Sequence, residues 1–230
     1  MIKLLVSSFY NTLIDEEDAI PTSTMFELDR VREQNIKFAI TTNNLEEEVL
    51  YYNQDYPFID YIISLNGSIL HDLSKDKWTF LKSFTKEELD SIEQSFPKKE
   101  IYYYTKDSRY STIPGETVYK VEIVCGKKKL KELPQLPFQI SYFQRNKEVF
   151  LEIGKNTPYE ALKEIIEEEN ISEKEVLGII GNDSEEEILN HIENIYVVRN
   201  SSKELKGKTK KTTTTNKNKG VENVTKKEIK

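Results

Sequence analysis

The sequence predicts an α/β protein with a doubly wound, parallel-sheet core and an inserted α+β cap domain. Two changes of pattern along the 230 residues support this prediction. Residues 1–72 and 152–230 alternate short apolar runs with amphipathic stretches, which is typical of strand-helix-strand units. Residues 73–151 consist mostly of strand-like runs, which favours an antiparallel sheet. The first two ranges are therefore assigned to one discontinuous core domain and the third range to the cap, whose size is ordinary for a small domain.

The first part of the core is predicted from three apolar runs and the segments between them. The runs cover residues 2–6, 36–41 and 61–64. A helix that begins near Pro21 has Met25, Leu28 and Val31 at every third position, which buries one stripe of the helix. A second helix is expected over residues 45–52, and the pair Asn66-Gly67 is typical of a turn.

The inserted segment has five strand-like runs and one well-marked helix. The runs cover residues 78–81, 101–105, 119–124, 138–143 and 149–153. Thr85 and Glu88 have the spacing of a capping box, and Phe84 and Leu89 have the spacing of a hydrophobic staple. A helix is therefore expected to begin just after Thr85.

The core pattern resumes with two more capping boxes. Thr157 and Glu160 form one, with Pro158 at the first helical position, and Ser172 and Glu175 form the other. Residues 176–180 and 195–198 are predicted strands. The polar turn 181–184 between them is expected to lead into a helix.

The composition excludes several classes of protein. Cys125 is the only cysteine, so it cannot form a disulfide within the chain, and a reducing, cytoplasmic location is expected. The first residues do not have the pattern of a secretory leader. Because no run approaches the roughly 20 apolar residues that span a bilayer, a membrane protein is not expected.

The charge is distributed unevenly. Residues 203–230 carry ten lysines against three glutamates, a net charge of +7, whereas the whole chain has −7, so the remaining residues have −14. An acidic body of this kind repels nucleic acid. The basic segment could attract phosphates, but the simpler interpretation is a solvated or partly frayed C-terminus.

Polar loops follow four of the predicted strands, and they begin at Ser8, Thr42, Asn66 and Asn182. Ligands of open parallel sheets gather outside the carboxyl ends of the strands, so these loops should converge. Backbone N–H groups, hydroxyls and helix N-termini could hold a phosphate there. The same residue types are also ordinary helix caps, and this alternative stays open.

Three of the stretches carry a resemblance to a known family: SSFYNTL at 7–13, ISLNGSIL at 63–70 and GNDSE at 181–185. In this order, the chain resembles a Cof-type member of the haloacid dehalogenase superfamily with a type IIB cap, over essentially its whole length. The resemblance implies a Rossmann-like core. It also implies a Mg²⁺-dependent phosphatase whose ligand is a sugar phosphate or another small phosphoester.

The first stretch departs from the family's D-x-D-G-T-L pattern at the residues that do the chemistry. Ser8 lies where the family has its nucleophilic Asp, Tyr10 where it has its acid/base Asp, and Asn11 where it has Gly; Thr12 and Leu13 match. A serine hydroxyl is a weak nucleophile without a base, and the sequence shows no recognisable base beside Ser8. A tyrosine with a reference pKa of about 10 is poorly suited to acid/base work at neutral pH.

The resemblance also assigns a set of ligand-binding residues. Thr42 corresponds to the family's phosphate-binding hydroxyl, and its alternative role is to cap the following helix. Asn43 and Asn44 replace the usual Gly-Arg pair, and Asn66 and Gly67 complete the phosphate- or substrate-binding set together with Asn43. The family's lysine falls on Pro158, so Lys155 is the nearest substitute, unless it is an ordinary surface lysine.

A Mg²⁺ site is implied by the stretch that follows Gly181, in one of two alignments. One places Asn182 and Glu186 on the metal-binding acids, and the other places Asp183 and Glu187 there. Mg²⁺ prefers carboxylate oxygens, so such a site would be weak without the nucleophilic Asp. The alternative is an acidic first turn that is favoured by the helix dipole.

These observations lead to one preferred function and two alternatives. The preferred hypothesis is a phosphatase homologue with impaired or lost catalysis that still binds a small phosphorylated molecule. The first alternative is an active Mg²⁺-dependent phosphatase of sugar phosphates or other small phosphoesters. The second is a non-catalytic interaction protein that uses its basic C-terminal segment.

Overall fold

The structure is a computed structural model that describes residues 1–14, 19–54, 57–145 and 147–230. The described residues form thirteen strands and seven helices, numbered along the chain. The strands are β1 Leu4–Ser8, β2 Lys37–Thr41, β3 Tyr61–Ser64, β4 Ile69–Asp72, β5 Lys77–Phe80, β6 Ile101–Tyr104, β7 Arg109–Tyr110, β8 Lys120–Gly126, β9 Gln139–Arg145, β10 Glu148–Gly154, β11 Val176–Ile180, β12 Ile195–Val198 and β13 Thr212–Thr213. The helices are α1 Thr22–Glu33, α2 Glu47–Asn53, α3 Lys86–Ser95, α4 Pro158–Glu168, α5 Glu186–His191, α6 Lys203–Gly207 and α7 Gly220–Glu228.

The larger sheet has eight strands in the order β13-β12-β11-β1-β2-β3-β4-β5. The pairs from β13 to β3 are parallel, and β4 and β5 are added to one edge as antiparallel strands. The carboxyl ends of β1, β2 and β11 therefore meet at one edge, where ligands of such sheets bind. The predicted fold class is confirmed.

Side chains alternate between the two faces along the buried strands of this sheet, so apolar residues lie on both faces, and helices cover each of them. Leu5 of β1 packs in a cluster with Leu28 of α1 and Val224 of α7. Its neighbour Leu4 packs in a second cluster with Leu162 of α4 and Ile188 of α5. The two clusters give the core the doubly wound arrangement.

The second sheet is antiparallel and has the strand order β7-β6-β8-β10-β9. Helix α3 packs on it through Leu89 and Ile92, and these two residues and the preceding Phe84 share a cluster with residues of β6, β8 and β10. Residues 77–80, which the sequence analysis assigned to the cap, pair with β4 in the larger sheet. Strand β10 continues to Gly154, past the expected boundary at residue 151. The division into domains at 72/73 and 151/152 stays a prediction.

Local sequence signals set the starts of two helices as expected. Thr85 and Thr157 each accept a hydrogen bond from the backbone three residues later, and the glutamate there bonds back in a complete capping box. Pro158 occupies the first turn of α4. The box formed by Ser172 and Glu175 is present as well, but it begins only a three-residue turn before β11.

The C-terminal segment is folded, which corrects the frayed alternative, although most of its lysines are exposed to solvent. Val221 and Val224 of α7 and the following Ile229 are buried against the core. The lysines lie on the outer side, where several meet acids: Lys208 pairs with Glu186 and Lys226 with Glu222. The amphipathic spacing of the valines, masked in the sequence by the many lysines, explains why the segment packs. No helix in the described part of the chain combines the length and hydropathy of a membrane span.

Candidate active site

Ser8 lies at the carboxyl end of β1, where the resemblance places the nucleophile. Its side chain is completely buried. Its hydroxyl donates a hydrogen bond to Oε2 of Glu185 and accepts one, at 2.9 Å, from the backbone N–H of Gly181. Ser8 therefore faces the loop after β11, as predicted, but both its donor and an acceptor position are already used within the protein.

Glu185 is the central residue of this site, and the sequence analysis did not select it. The carboxylate is 2% exposed. Thr41 at the end of β2 donates its hydroxyl to Oε1, and the N–H of Asn182 donates to Oε2 at 3.1 Å. One buried carboxylate thus binds the ends of β1, β2 and β11 together.

A sequence signal for Glu185 existed. Asn182 and Glu185 are three residues apart and form a capping box around the turn Asp183–Glu185. That spacing predicts a glutamate that turns back toward the loop. Because Glu185, Glu186 and Glu187 are consecutive, charge alone did not distinguish which of them enters the interior. The expectation that Ser8 has no base beside it is corrected by the contact with Glu185.

Burial raises the pKa of Glu185, because its charged form is removed from water. The hydrogen bonds from Ser8, from Thr41 and from the two backbone N–H groups act in the opposite direction and favour the ionised carboxylate. Desolvation is the larger effect, so Glu185 holds its proton to a higher pH than an exposed glutamate.

The loop after β1 has a left-handed residue where the resemblance places the motif's glycine. Asn11 has a φ of 61°, in the left-handed region. Asparagine is one of the few residues with a side chain that adopt this conformation readily. Its side-chain nitrogen donates to Oδ1 of Asn182 at 3.1 Å. At Gly181, an added Cβ would lie 2.3 Å from Oγ1 of Thr12, so the two loops approach too closely for a larger residue.

Tyr10, at the acid/base position, is separated from Ser8. Its ring packs edge-on against Phe9, with 5.1 Å between the centroids, and it lines the cavity described below. Ser8 and Glu185 do not line that cavity. The two positions that act together in the motif therefore face different surroundings in this chain.

Thr42 is buried, and its hydroxyl accepts a hydrogen bond at 3.1 Å from the N–H of Asn44. This contact closes a local turn over residues 42–44, and it does not cap α2, whose N-cap residue is Glu46. Thr42 does not line the larger cavity, whereas the side chains of Asn43 and Asn44 do.

Asn43 and Asn66 contact a carboxylate of the cap sheet. The amide nitrogens of Asn43 and Asn66 donate to Glu152 of β10 at 3.0 and 3.2 Å. Lys120 of β8 binds the same carboxylate at 2.9 Å and the backbone oxygen of Asn43 at 2.6 Å. Lys120 is fully buried and Glu152 is 2% exposed. The sequence analysis missed this pair, which joins the cap to two core loops.

Gly67 and Lys155 have structural contacts. Gly67 has a φ of +87°, and an added Cβ would lie 2.1 Å from the backbone oxygen of Thr157, so glycine allows this loop to touch the start of α4. Lys155 binds both carboxylate oxygens of Glu88, at 2.7 and 2.8 Å. Lys155 lines neither of the two cavities described below.

The candidate metal residues do not assemble into one donor set. Asp183 accepts a hydrogen bond from Ser202, and Glu186 pairs with Lys208. Asn182 binds Asn11, and Glu187 lines the smaller of the two cavities described below, together with Asp183 and Glu186. Within residues 1–14, 19–54, 57–145 and 147–230, no three His, Cys, Asp or Glu side chains form a possible metal group. These residues do not fit the Mg²⁺ ion that the resemblance implies, and we derive no step through it.

A cavity of about 770 Å³ lies between the core loops and the cap strands β9 and β10. Its lining combines amides, hydroxyls and aromatic rings with few charges: Tyr10, Asn11, Asn43, Asn44, Glu48, Lys129, Ser141, Tyr142, Phe143, Val149, Glu152, Gly181, Asn182, Asp183, Ser184, Asn200, Ser201 and Ser202. A second cavity of about 360 Å³ shares Ser141, Glu152, Asp183 and Ser184 with the first. Together they form one cleft, called here the core-cap cleft, of a size that suits a small molecule.

Comparisons with known proteins agree with this architecture. The sequence model of the haloacid dehalogenase-like hydrolases matches residues 11–123 and 112–224. No curated protein matches the chain.

Three solved structures with the same fold match over nearly the full length of both chains. A sugar phosphatase of haloacid dehalogenase subclass IIB is 17% identical, with a TM-score of 0.83 and 98% of each chain covered. A phosphatase of this superfamily from Bacteroides thetaiotaomicron is 14% identical, with a TM-score of 0.83 over 99% of this chain and 95% of that one. A haloacid dehalogenase-like hydrolase from B. subtilis is 13% identical, with a TM-score of 0.81 over the whole of both chains. The chain belongs to the haloacid dehalogenase-like hydrolase family.

Proposed function

We propose that this chain is a phosphatase homologue with little or no hydrolytic activity, which binds a small molecule in the core-cap cleft. The observation that carries the proposal is the buried hydrogen bond between Ser8 and Glu185. It occupies the position where the family's nucleophile would meet a substrate.

The first support is the inaccessibility of Ser8. An attacking hydroxyl has to lie within about 3–3.5 Å of the reacting atom in a productive complex. The Ser8 side chain is fully buried and does not line the core-cap cleft. A substrate in the cleft would therefore not reach it without a rearrangement of the loop that follows β11.

The second support is the role of Glu185 as an internal anion. Two hydroxyls and two backbone N–H groups donate to this carboxylate. Donors of this type, at the turn before a helix, are those that could hold a phosphate. Here they are already used by a group of the protein itself.

The alternative of an active enzyme rests on the same contact. A carboxylate with a raised pKa beside a hydroxyl is the arrangement of a nucleophile and its general base. Two observations speak against an active enzyme: Glu185 accepts several hydrogen bonds, and the side chains of Ser8 and Glu185 are both buried. We therefore favour a structural role for the pair.

The test is hydrolysis of an aryl phosphate and a panel of sugar phosphates, with and without Mg²⁺. We expect wild-type turnover to equal that of Ser8→Ala in both conditions. Ser91→Ala, at an exposed position of α3, is the matched control. Mg²⁺-dependent turnover that is lost in both Ser8→Ala and Glu185→Gln would establish the active enzyme instead.

A further inference from the structure

The core-cap cleft has a chemistry that selects its ligand. We infer that it binds an uncharged polyhydroxy compound, such as a free sugar or sugar alcohol, in preference to the phosphorylated form. This inference rests on the proposed function, because it concerns the ligand of a site that does not hydrolyse phosphoesters.

The polar edge of the cleft offers hydrogen-bond acceptors beside its hydroxyl groups. The amide nitrogens of Asn43 and Asn44 donate to Glu152 and Glu48, at 3.0 and 3.1 Å. A carboxylate neighbour requires the nitrogen on that side, so the amide oxygens remain acceptors. Asp183 lines the same cavity, so a ligand that brings donors finds acceptors there.

A phosphate ester has the opposite character. At neutral pH its phosphoryl group carries between one and two negative charges and several acceptor oxygens. In the larger cavity, the described lining residues provide one lysine, Lys129, against three acids. The donors best placed for an anion, at Gly181 and Asn182, already bind Glu185. A phosphoryl group would therefore meet acceptors and like charge.

One of the three acids is already paired with a cation, which favours hydroxyl groups over a cationic amine. Glu152 is paired with buried Lys120 at 2.9 Å, and Asp183 accepts from Ser202. Hydroxyl donors can complete the hydrogen bonding of these acids without adding a charge.

Aromatic rings supply the second half of the recognition. Tyr10, Tyr142 and Phe143 line the same cavity. Lys129 lies over the Tyr142 ring, 5.0 Å from its centroid. Rings of this kind offer broad apolar surfaces. A sugar has a C–H face and a rim of hydroxyls, which matches a cleft that combines aromatic faces with acceptors.

The experiment is calorimetric titration of the full chain with matched pairs. The probes are D-glucose, D-ribose and D-mannitol, each against its monophosphate ester, with inorganic phosphate and putrescine as further probes. We expect at least one neutral compound to bind tenfold or more tightly than its ester. An ester that binds as tightly as its neutral partner, binding of putrescine alone, or no binding of any neutral compound would overturn the inference.

Two variants locate the binding. Ser184→Phe fills the cleft from the core side and Ser141→Phe from the cap side, so a folding failure of one leaves the other informative. Each is expected to weaken binding of the neutral compound at least tenfold, whereas Ser91→Phe on exposed α3 should change it less than twofold. Unchanged binding in both cleft variants would contradict the assigned site. Phosphate release from the esters would overturn the proposed function, and a preference for an ester without release would overturn the ligand class alone.

Discussion

Ser8 and Glu185 are 177 residues apart in the chain and share a hydrogen bond in the interior, at the carboxyl ends of three parallel strands. The resemblance assigns the serine to the position of the family's nucleophile and the loop of the glutamate to Mg²⁺. Under the proposed function, this contact is structural rather than catalytic. The consequences can be measured in stability as well as in activity.

Replacement of Glu185 by glutamine should change how stability depends on pH. Burial raises the pKa of Glu185 in the folded state. Above its unfolded value of about 4.5, the unfolded chain loses this proton while the folded chain keeps it, so the free energy of unfolding falls as the pH rises toward the folded pKa. In Glu185→Gln this decrease should be smaller, as measured by urea unfolding between pH 4 and 8.

Glutamine can keep most of the contacts of Glu185. Its amide oxygen replaces Oε2 as the acceptor for Ser8 and Asn182, and its nitrogen donates to the hydroxyl of Thr41. The Thr41 proton can then turn to the backbone oxygen of Ser7, at 3.4 Å. Exposed Glu164→Gln is the control, and parallel pH curves for wild type and Glu185→Gln would contradict the prediction.

Restoring an aspartate at the nucleophile position should destabilise the fold. Ser8→Asp places a second carboxylate against Glu185 in a buried site, and an uncompensated buried charge costs about 3–5 kcal/mol. Adding Glu185→Gln should recover more than half of that loss, which a double-mutant cycle by chemical unfolding measures. Additive losses would mean that the two side chains do not interact.

Removal of the Lys120 charge should destabilise the junction of cap and core. Lys120→Met keeps the volume and leaves Glu152 buried without its ion pair, with an expected loss of about 3–5 kcal/mol. Lys120→Met with Glu152→Gln should be more stable than Lys120→Met alone, because no unpaired charge remains. Lys163→Met, in an exposed pair with Glu167, should change the free energy of unfolding by less than about 1 kcal/mol.

Alanine at Gly67 should be strongly destabilising. Its Cβ would lie 2.1 Å from the backbone oxygen of Thr157, and the residue has a positive φ. The atoms that the Cβ would meet belong to the backbone, which cannot move aside as the end of a flexible side chain can. We therefore expect the free energy of unfolding to fall by about 3 kcal/mol or more, as measured by thermal unfolding. Gly115→Ala, where an added Cβ meets nothing within 4 Å, should have a small effect, and equal effects at both positions would disprove the packing explanation.

Much of the fold could be read from local patterns. The buried strands β1, β2, β3, β11 and β12 were apparent because continuous apolar runs reflect burial on both faces. The boxes at Thr85 and Thr157 marked helix starts because a cap depends on residues three positions apart. The loops at Ser8 and Asn182 were expected to converge because parallel strands end at one edge, and the hydrogen bonds after β1 and β11 agree.

The sequence by itself determined the fold class and the strands that form the core. Only the tertiary structure decided that Glu185, rather than Glu186 or Glu187, enters the interior, that Lys120 pairs with Glu152, and that the basic C-terminal segment packs on the core. The physical reason is the separation along the chain of the residues that interact. Periodicity and capping report interactions within a few residues, whereas a buried carboxylate is selected by donors that arrive from strands far away in the chain.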